Sequence, residues 1–185
     1  TNKCPCACTF CLRKTRDEME NSGSLWLEHE PSYEEIINDF KNFDISQYGE
    51  LVFCGFGEPT ERLDILLKTA AYAKEAFGIK TRINTNGMSD LIHGKKTACE
   101  LEGLIDTVSI SLNTPNKKEY NELVRCRFGD SSFDAMLDFA RDCTKYVPNV
   151  IMTTVATTIS EDDEKECQKI CDSIGAKYRI RPYEN

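Results

Sequence analysis

The stretch CPCACTFC at residues 4–11 places four of the chain's ten cysteines within eight residues. The other six are spread through segments that have regular helix or strand patterns. Small secreted proteins also contain many cysteines, but their disulfides staple short chains that are rich in loops. One tight group of cysteines predicts instead a metal site in a reducing compartment, and we therefore expect a cytoplasmic protein.

Three of these cysteines, Cys4, Cys8 and Cys11, have the spacing C-x3-C-x2-C. Three thiolates on one loop can hold three corners of a [4Fe–4S] cluster and leave the fourth iron open to a substrate or cofactor. Phe10 precedes the last ligand, where we expect it to help exclude water. Cys6 adds a fourth thiol, so spacing alone also permits a zinc site or a fully ligated cluster. Zinc pairs usually lie well apart and ferredoxins use C-x2-C-x2-C, which favours Cys6 as a bystander.

Composition describes a folded domain of ordinary size. A chain of 185 residues can close a single hydrophobic core, so we predict one domain over residues 1–185. The net charge of −8 argues against a general affinity for nucleic acid or anionic membranes. No apolar stretch approaches the roughly 20 residues that a membrane-spanning helix needs. A basic run at residues 13–16 is interpreted as a solvated turn.

Apolar periodicity alternates between strand and helix along the rest of the chain. Strands are predicted at 51–54, 80–84, 107–112, 150–158 and 177–180, and helices from the capping box at 32–35 and near 63–77, 95–104, 117–125, 133–146 and 161–174. This alternation predicts an α/β fold with parallel strands and right-handed crossovers, as an open sheet or a partly closed barrel. The cysteine loop also needs a strand to precede it, so we expect a first strand before Thr1.

Three unusual turns follow predicted strands. They are GFGEP at 55–59, NTNG at 84–87 and SLNT at 111–114. The carboxyl ends of parallel strands meet at one edge of a sheet, which is where α/β proteins place their sites. We therefore expect all three turns to open on the same edge as the cysteine loop.

The cysteine spacing, with an aromatic residue before the last cysteine, resembles the signature of the radical S-adenosylmethionine (radical SAM) superfamily. The GFGEP turn resembles that superfamily's GGEP motif, and the order of strands and helices fits its (β/α)6 partial TIM barrel over nearly the whole chain. More narrowly, CLR at 11–13, LWLE at 25–28, FCGFGEP at 53–59 and INTNG at 83–87 are similar to the TatD-associated radical SAM proteins.

The resemblance implies a function for the cluster. Cys4, Cys8 and Cys11 would hold a [4Fe–4S] cluster whose open iron binds the amine and carboxylate of S-adenosylmethionine. An external donor such as a flavodoxin or ferredoxin would supply an electron that cleaves the cofactor to methionine and a 5′-deoxyadenosyl radical. The radical would abstract hydrogen from an unknown substrate, either a small molecule or a glycine of a partner protein.

Residues that would contact S-adenosylmethionine lie at the strand ends. Gly55 and Gly57 lack a Cβ, so a ligand can approach their backbone closely. The resemblance implies that the backbone of Gly57, Glu58 and Pro59 binds the methionyl ammonium, with Glu58 supporting the turn. It also implies that Asn84 contacts the ribose and that Ser111 and Asn113 make polar contacts, although relatives carry charged residues there. The cofactor's carboxylate needs a cation, for which the candidates are Arg125, Arg179 and Arg181.

The segment around Trp26 is expected to pack beside the cysteine loop. A second class of function is a non-catalytic iron–sulfur electron-transfer protein or a structural metal-binding protein. That class accounts for the cysteines, but it gives no reason for the glycine-rich and asparagine-rich turns at adjacent strand ends.

Overall fold

The computed structural model describes residues 1–14, 18–19 and 23–183. Thr15 and Arg16 of the basic run lie outside these residues. Two short strands, β1 (Glu18–Met19) and β2 (Gly23–Ser24), pair antiparallel after the cysteine loop. Within the described ranges, no helix combines the length and the apolar character needed to cross a bilayer.

The centre of the fold is a five-stranded parallel sheet. Its strands stand in sequence order: β3 (Glu50–Phe53), β4 (Lys80–Thr85), β5 (Thr107–Ser111), β6 (Asn149–Val155) and β7 (Lys177–Arg181). All four strand pairings are parallel. The predicted α/β fold and its five strands are confirmed, and the sheet is consistent with a partial barrel.

Helices connect the strands. Their bounds are α1 (Tyr33–Asp39), α2 (Leu63–Phe77), α3 (Ser89–His93), α4 (Lys117–Val124), α5 (Ser132–Tyr146) and α6 (Glu161–Ile174). The predicted capping box is present, with the Glu35 N–H donating to the Ser32 hydroxyl at 3.2 Å. Gly78 and Gly175 end α2 and α6 in the left-handed conformation that glycine adopts without strain.

The helix predicted near 95–104 is wrong. α3 ends at His93, before that part of the chain, which consists of irregular turns and a 3-10 helix at Ala98–Leu101. Gly94 stops α3 with a φ of 64°. Asp90 then accepts hydrogen bonds from the backbone and hydroxyl of Thr97, both at 2.9 Å. Local side-chain bonds of this kind compete with a continuous helix.

The two faces of the sheet differ in burial. On one face Ile83, Val108 and Met152 are buried in the core with residues of α2, α5 and α6. On the other face Asn84 is exposed, and Ser109 and Ser111 are only partly buried. Asn84 and Ser109 are register partners, so this polar face runs across neighbouring strands. It leads to the carboxyl ends of the strands, where the predicted site residues lie.

Candidate functional site

The backbone of the cysteine loop is held against the end of α4. The Ala7 N–H donates to the Val124 carbonyl at 3.1 Å, and the Thr9 N–H donates to the Leu123 carbonyl at 2.9 Å. The last carbonyls of a helix lack partners within the helix, so a neighbouring loop can use them. The end of α4 therefore helps to position this loop through backbone hydrogen bonds.

The loop's thiols differ in how readily they ionise. Cys6 is 4% exposed, and a hydrogen bond from its thiol lowers the pKa of Cys4 to about 7 and also lowers the pKa of Cys8. The pKa of Cys6 itself is raised, chiefly by its hydrogen bond with Cys126. Metals bind thiolates, so the lowered pKa values suit Cys4 and Cys8 to metal binding. The hydrogen bond with Cys6 also lowers the pKa of Cys126, to about 6, so this property is shared by a cysteine outside the predicted ligand set.

The basic residues after the loop bind its carbonyl groups. Arg13 Nη2 donates to the Cys6 carbonyl at 3.1 Å. Lys14 Nζ donates to the carbonyls of Ala7 at 2.9 Å and Cys8 at 2.6 Å. Arg13 is thus partly buried where a solvated turn was expected, while Lys14 is exposed as the prediction implies. These contacts bring positive charge to the loop, which stabilises nearby thiolates.

The GFGEP turn packs against the first residues of the chain. A Cβ placed on Gly57 would lie 2.0 Å from the Thr1 carbonyl oxygen, so only glycine fits there. The Glu58 N–H donates to the Lys3 carbonyl at 2.8 Å. The close approach anticipated at Gly57 is thus made by the protein's own backbone. The Glu58 N–H is thus paired within the protein, and the predicted contact of this turn with an ammonium group stays a prediction.

Glu58 joins two strand-end turns through a buried carboxylate. Its Oε1 accepts hydrogen bonds from the hydroxyls of Thr60 at 2.8 Å and Thr85 at 2.7 Å, and its Oε2 accepts from the Asn86 N–H at 2.8 Å. Burial raises the pKa of Glu58, and these hydrogen bonds oppose that rise. With its oxygens occupied in this way, Glu58 supports the turn as expected.

Asn86 links the NTNG turn to the cysteine loop. Its Nδ2 lies 3.7 Å from Cys4 Sγ and 3.5 Å from Cys6 Sγ as a hydrogen-bond donor. Its Oδ1 accepts from the Met88 N–H at 2.9 Å, which fixes the orientation of the amide. This contact could not be predicted from sequence spacing, because it joins residues about 80 positions apart. The only signal for it was a second asparagine in the turn.

The remaining predicted cofactor residues also lie at or near the carboxyl ends of the strands. Ser111 ends β5 and is the register partner of Thr153. Asn113 has a φ of 66°, and its N–H donates to the Thr153 carbonyl at 3.1 Å. Arg181 ends β7 and is partly buried. Strand pairing thus gathers Asn84, Ser111 and Arg181 on one face.

The other arginine candidates are placed differently. Arg125 caps the end of α4, where its Nε donates to the Glu122 carbonyl at 3.3 Å. Arg179 lies two residues before Arg181 on β7 and shares its face of the sheet, but it is exposed. Gly55 and Pro59 flank the turn after β3, and Pro59 begins a 3-10 helix. Pro59 therefore has a local structural role as well as its predicted one.

The Trp26 segment packs as expected. Asn2 holds the backbone of Leu27 through two hydrogen bonds, of 2.8 and 3.0 Å. The Trp26 ring meets the Phe56 ring edge-on, with centroids 5.1 Å apart. The segment thus contacts both the start of the cysteine loop and the GFGEP turn. Phe10, by contrast, is 45% exposed, and its role in excluding water from a bound cluster stays a prediction.

The donor set fits an iron–sulfur group in its chemistry. Cys4 and Cys8 have lowered pKa values, and the fully buried Tyr120 hydroxyl has no hydrogen-bond partner among the described residues. Burial raises the pKa of Tyr120, and the charges of Cys6, Cys126 and Cys8 raise it further. Across the described part of the chain, however, no three Cys, His, Asp or Glu side chains already converge as a metal site. The loop therefore supplies ligands whose chemistry suits such a group.

These features define an α/β protein whose candidate site lies at the carboxyl ends of parallel strands. The sequence profile of the Radical SAM superfamily matches residues 1–174, and the chain belongs to that superfamily. The match does not reach the narrower TatD-associated subgroup, which stays a prediction.

One curated relative and two solved structures illustrate the similarity. A Methanocaldococcus jannaschii protein, named as a candidate glycyl-radical enzyme activating enzyme, is 29% identical over 193 residues, covering 98% of this chain and 70% of that protein. Streptococcus suis SuiB, solved with its precursor peptide SuiA, has a TM-score of 0.66 at 22% identity. Methylornithine synthase has a TM-score of 0.67 at 14% identity. This chain is covered over 100% and 99% of its length but spans 38% and 51% of those two structures, which show the fold alone.

Proposed function

We propose that this protein is a radical SAM enzyme, an oxidoreductase that cleaves S-adenosylmethionine reductively and uses the product radical to take hydrogen from a substrate. Cys4, Cys8 and Cys11 would hold a [4Fe–4S] cluster. When bound, that cluster would supply the electron and the open iron that reductive cleavage to methionine and a 5′-deoxyadenosyl radical requires. The superfamily match over residues 1–174 supports the class.

The observation that carries the proposal is the contact of the cysteine loop with two strand-end turns. The backbone N–H of Glu58 donates a hydrogen bond to the Lys3 carbonyl at the start of the loop, and the side-chain amide of Asn86 donates one to Cys4 Sγ. Glu58 also binds the Asn86 backbone. A structural metal site or an electron carrier would not need these turns beside the metal. An enzyme that binds a second cofactor next to the cluster would.

We assign the chain's polar groups to parts of that cofactor. Asn84 and Ser111 lie on the open face of the sheet, where they can bond the hydroxyls of a ribose. Arg181 provides a positive charge on the same face, suited to a carboxylate. Gly55 lets a ligand approach the backbone, with Pro59 closing the turn. Asn113, which follows β5, is only 7% exposed, and we assign its side-chain amide to a polar contact with the cofactor.

Anaerobic reconstitution with iron and sulfide tests the proposal. The reduced protein should release 5′-deoxyadenosine from S-adenosylmethionine, measured by liquid chromatography and mass spectrometry. Cys4→Ala should abolish the release, and Cys99→Ala, which changes an exposed thiol, should not. A protein that binds a cluster but neither binds nor cleaves the cofactor would instead be the electron-transfer or structural alternative.

We further propose a glycine of a partner protein as the substrate, because the curated relative is named as an activating enzyme. Cells grown on α-deuterated glycine provide a labelled protein fraction and a labelled small-molecule filtrate. Deuterium that enters 5′-deoxyadenosine from the protein fraction alone supports this substrate class. Deuterium from the filtrate alone would point to a small molecule.

The electron donor and the location follow from the same chemistry. A reduced flavodoxin or ferredoxin is the proposed donor, and cleavage of S-adenosylmethionine with either protein in place of a chemical reductant tests it.

We propose a cytoplasmic location, since all ten cysteines are free thiols.

A further inference from the structure

Cys6 and Cys126 lie directly opposite each other in an isolated antiparallel bridge. The bridge is flanked by two hydrogen bonds, from the Ala7 N–H to the Arg125 carbonyl at 3.3 Å and from the Arg127 N–H to the Pro5 carbonyl at 2.9 Å. With this pattern, Cys6 and Cys126 are a non-hydrogen-bonded pair. Such pairs have Cα atoms about 4.5 Å apart and side chains on the same side of the ladder.

That spacing falls inside the range of roughly 4.4–6.8 Å over which a disulfide bridges two Cα atoms. The two thiols are also close enough for each to shift the pKa of the other. Cys126 is partly exposed, whereas Cys6 is buried. The pair therefore combines one accessible thiol with one protected thiol, and the backbone of both is held in register before any bond forms.

We infer that Cys6 and Cys126 form a reversible disulfide in the cluster-free protein. Cys126 attacks a low-molecular-weight disulfide such as glutathione disulfide, forming a mixed disulfide and releasing one glutathione thiolate. Cys6 then displaces the second glutathione and closes the protein disulfide. Two protein thiols are oxidised to one disulfide, and one glutathione disulfide is reduced to two glutathione molecules. The two protons released by the protein thiols protonate the two glutathione thiolates.

The disulfide would covalently link the cysteine loop to the segment that directly follows α4. It would occupy the loop's spare thiol and leave Cys4, Cys8 and Cys11 reduced for iron. This role goes beyond the proposed function, because it concerns the protein before it carries a cluster.

Two other partners compete for Cys6, since its thiol also interacts with Cys4 and Cys8. Both of these lie two residues from Cys6 on the same loop. Neither is held opposite Cys6 by paired backbone hydrogen bonds, as Cys126 is. A disulfide with Cys126 therefore requires less rearrangement of the backbone.

Thiol mapping of the metal-free protein tests the inference. The full chain, stripped with a chelator under anaerobic conditions, is equilibrated over a series of glutathione to glutathione disulfide ratios and quenched with acid and N-ethylmaleimide. At intermediate ratios two of the ten thiols should be lost, and mass spectrometry should find the peptides of Cys6 and Cys126 joined. Ten free thiols throughout, or a linkage of Cys6 to Cys4 or Cys8, would overturn it.

A pair of variants sharpens the result. Cys126→Ser should abolish the crosslink and keep all remaining thiols free at the same ratios. Cys99→Ser, which changes an exposed cysteine distant in sequence from both partners, should leave the crosslink unchanged. The mapping of the unmodified chain decides the question even if Cys126→Ser does not fold. Because the readout needs neither cluster nor S-adenosylmethionine, a failure of cofactor cleavage would not affect it.

Discussion

The side-chain amide of Asn86 donates a hydrogen bond to the sulfur of Cys4 at 3.7 Å, joining the turn after β4 to the first predicted ligand of the cysteine loop. The same amide reaches Cys6 at 3.5 Å. A hydrogen bond to a ligand sulfur stabilises its negative charge, and it is one of the means by which proteins set the potential of iron–sulfur groups. This contact connects the turn motif to the electron chemistry of the site.

Asn86→Ala should therefore lower the reduction potential of the reconstituted protein. The alanine cannot donate to Cys4, so the reduced, more negative state loses a stabilising contact. A redox titration followed by electron paramagnetic resonance measures the shift. Asn42→Ala, which removes an exposed surface amide that donates to Asp39, should leave the potential unchanged. An unchanged potential in Asn86→Ala would show that the contact has no electronic role.

Iron content distinguishes ligands from the bystander thiol. Cys4→Ala and Cys8→Ala should each lose most of the iron bound after reconstitution, while Cys6→Ala should keep it. The reason is that Cys4 and Cys8 belong to the C-x3-C-x2-C spacing of the proposed ligands, whereas Cys6 lies outside that spacing and stands opposite Cys126. A colorimetric iron assay on desalted protein makes the comparison. Loss of iron in Cys6→Ala would overturn the ligand assignment.

Gly57→Ala should destabilise the protein by about 2 kcal/mol, the usual scale of overpacking. Its Cβ would collide with the Thr1 carbonyl, a backbone group that moves only together with the segment leading to the cysteines. Urea unfolding measures the change in the free energy of unfolding. Gly49→Ala is the matched control, because a Cβ there has no heavy atom within 4 Å. Equal stability of the two variants would contradict the predicted collision.

Glu58→Ala should cost on the order of 2 kcal/mol, because it leaves buried donors of Thr85 and Asn86 without their acceptor. The change is again measured by urea unfolding. Glu75→Ala, on the exposed side of α2, should have an effect within about 0.5 kcal/mol of zero. Hydrogen exchange at the Asn86 amide gives a second readout, and unaltered protection there would refute the role of Glu58 in holding that turn.

Asp106 should make stability depend on pH. Although burial raises its pKa, hydrogen bonds from Lys74 at 2.7 Å and the Thr81 N–H at 2.8 Å bring it below the ordinary value of 3.8. A carboxyl group whose folded pKa is depressed stabilises the protein above the unfolded value, and that contribution is lost as pH falls through the folded value. Asp106→Asn should be less stable than the unmodified protein at pH 7.

The gap between Asp106→Asn and the unmodified protein should shrink as pH falls below 3.8. Urea unfolding of both proteins at a series of pH values follows this convergence. A gap that stays constant down to the lowest pH at which both proteins fold would mean that ionisation of Asp106 does not stabilise the fold.

Much of the fold could be predicted from periodicity, and the exceptions have local causes. Strand and helix positions followed from apolar spacing, and Gly78 and Gly175 marked helix ends. The prediction failed near 95–104, where Gly94 and the bonds between Asp90 and Thr97 outweigh helix propensity. A short polar segment carries too little apolar pattern to reveal such a competition.

The candidate site was predicted less evenly. The turns at strand ends were located correctly, because parallel topology brings all such ends to one edge. The side-chain partners were not. Arg13 bound a loop carbonyl where a solvated turn was expected, and the Glu58 N–H was occupied by Lys3. Each of these outcomes depends on where a separate part of the chain passes, which spacing alone does not encode.

The sequence by itself determined the α/β class and the cysteine spacing that identifies candidate ligands. It also determined the order in which the turn motifs follow the strands. These features depend on patterns between near neighbours in the chain. Only the tertiary structure decided that Asn86 donates to Cys4, that Gly57 packs against the Thr1 carbonyl, and that Cys126 lies opposite Cys6. Those relationships join residues far apart in sequence. They form only when burial of the sheet's apolar face against the helices brings the strand ends, the end of α4 and the cysteine loop together.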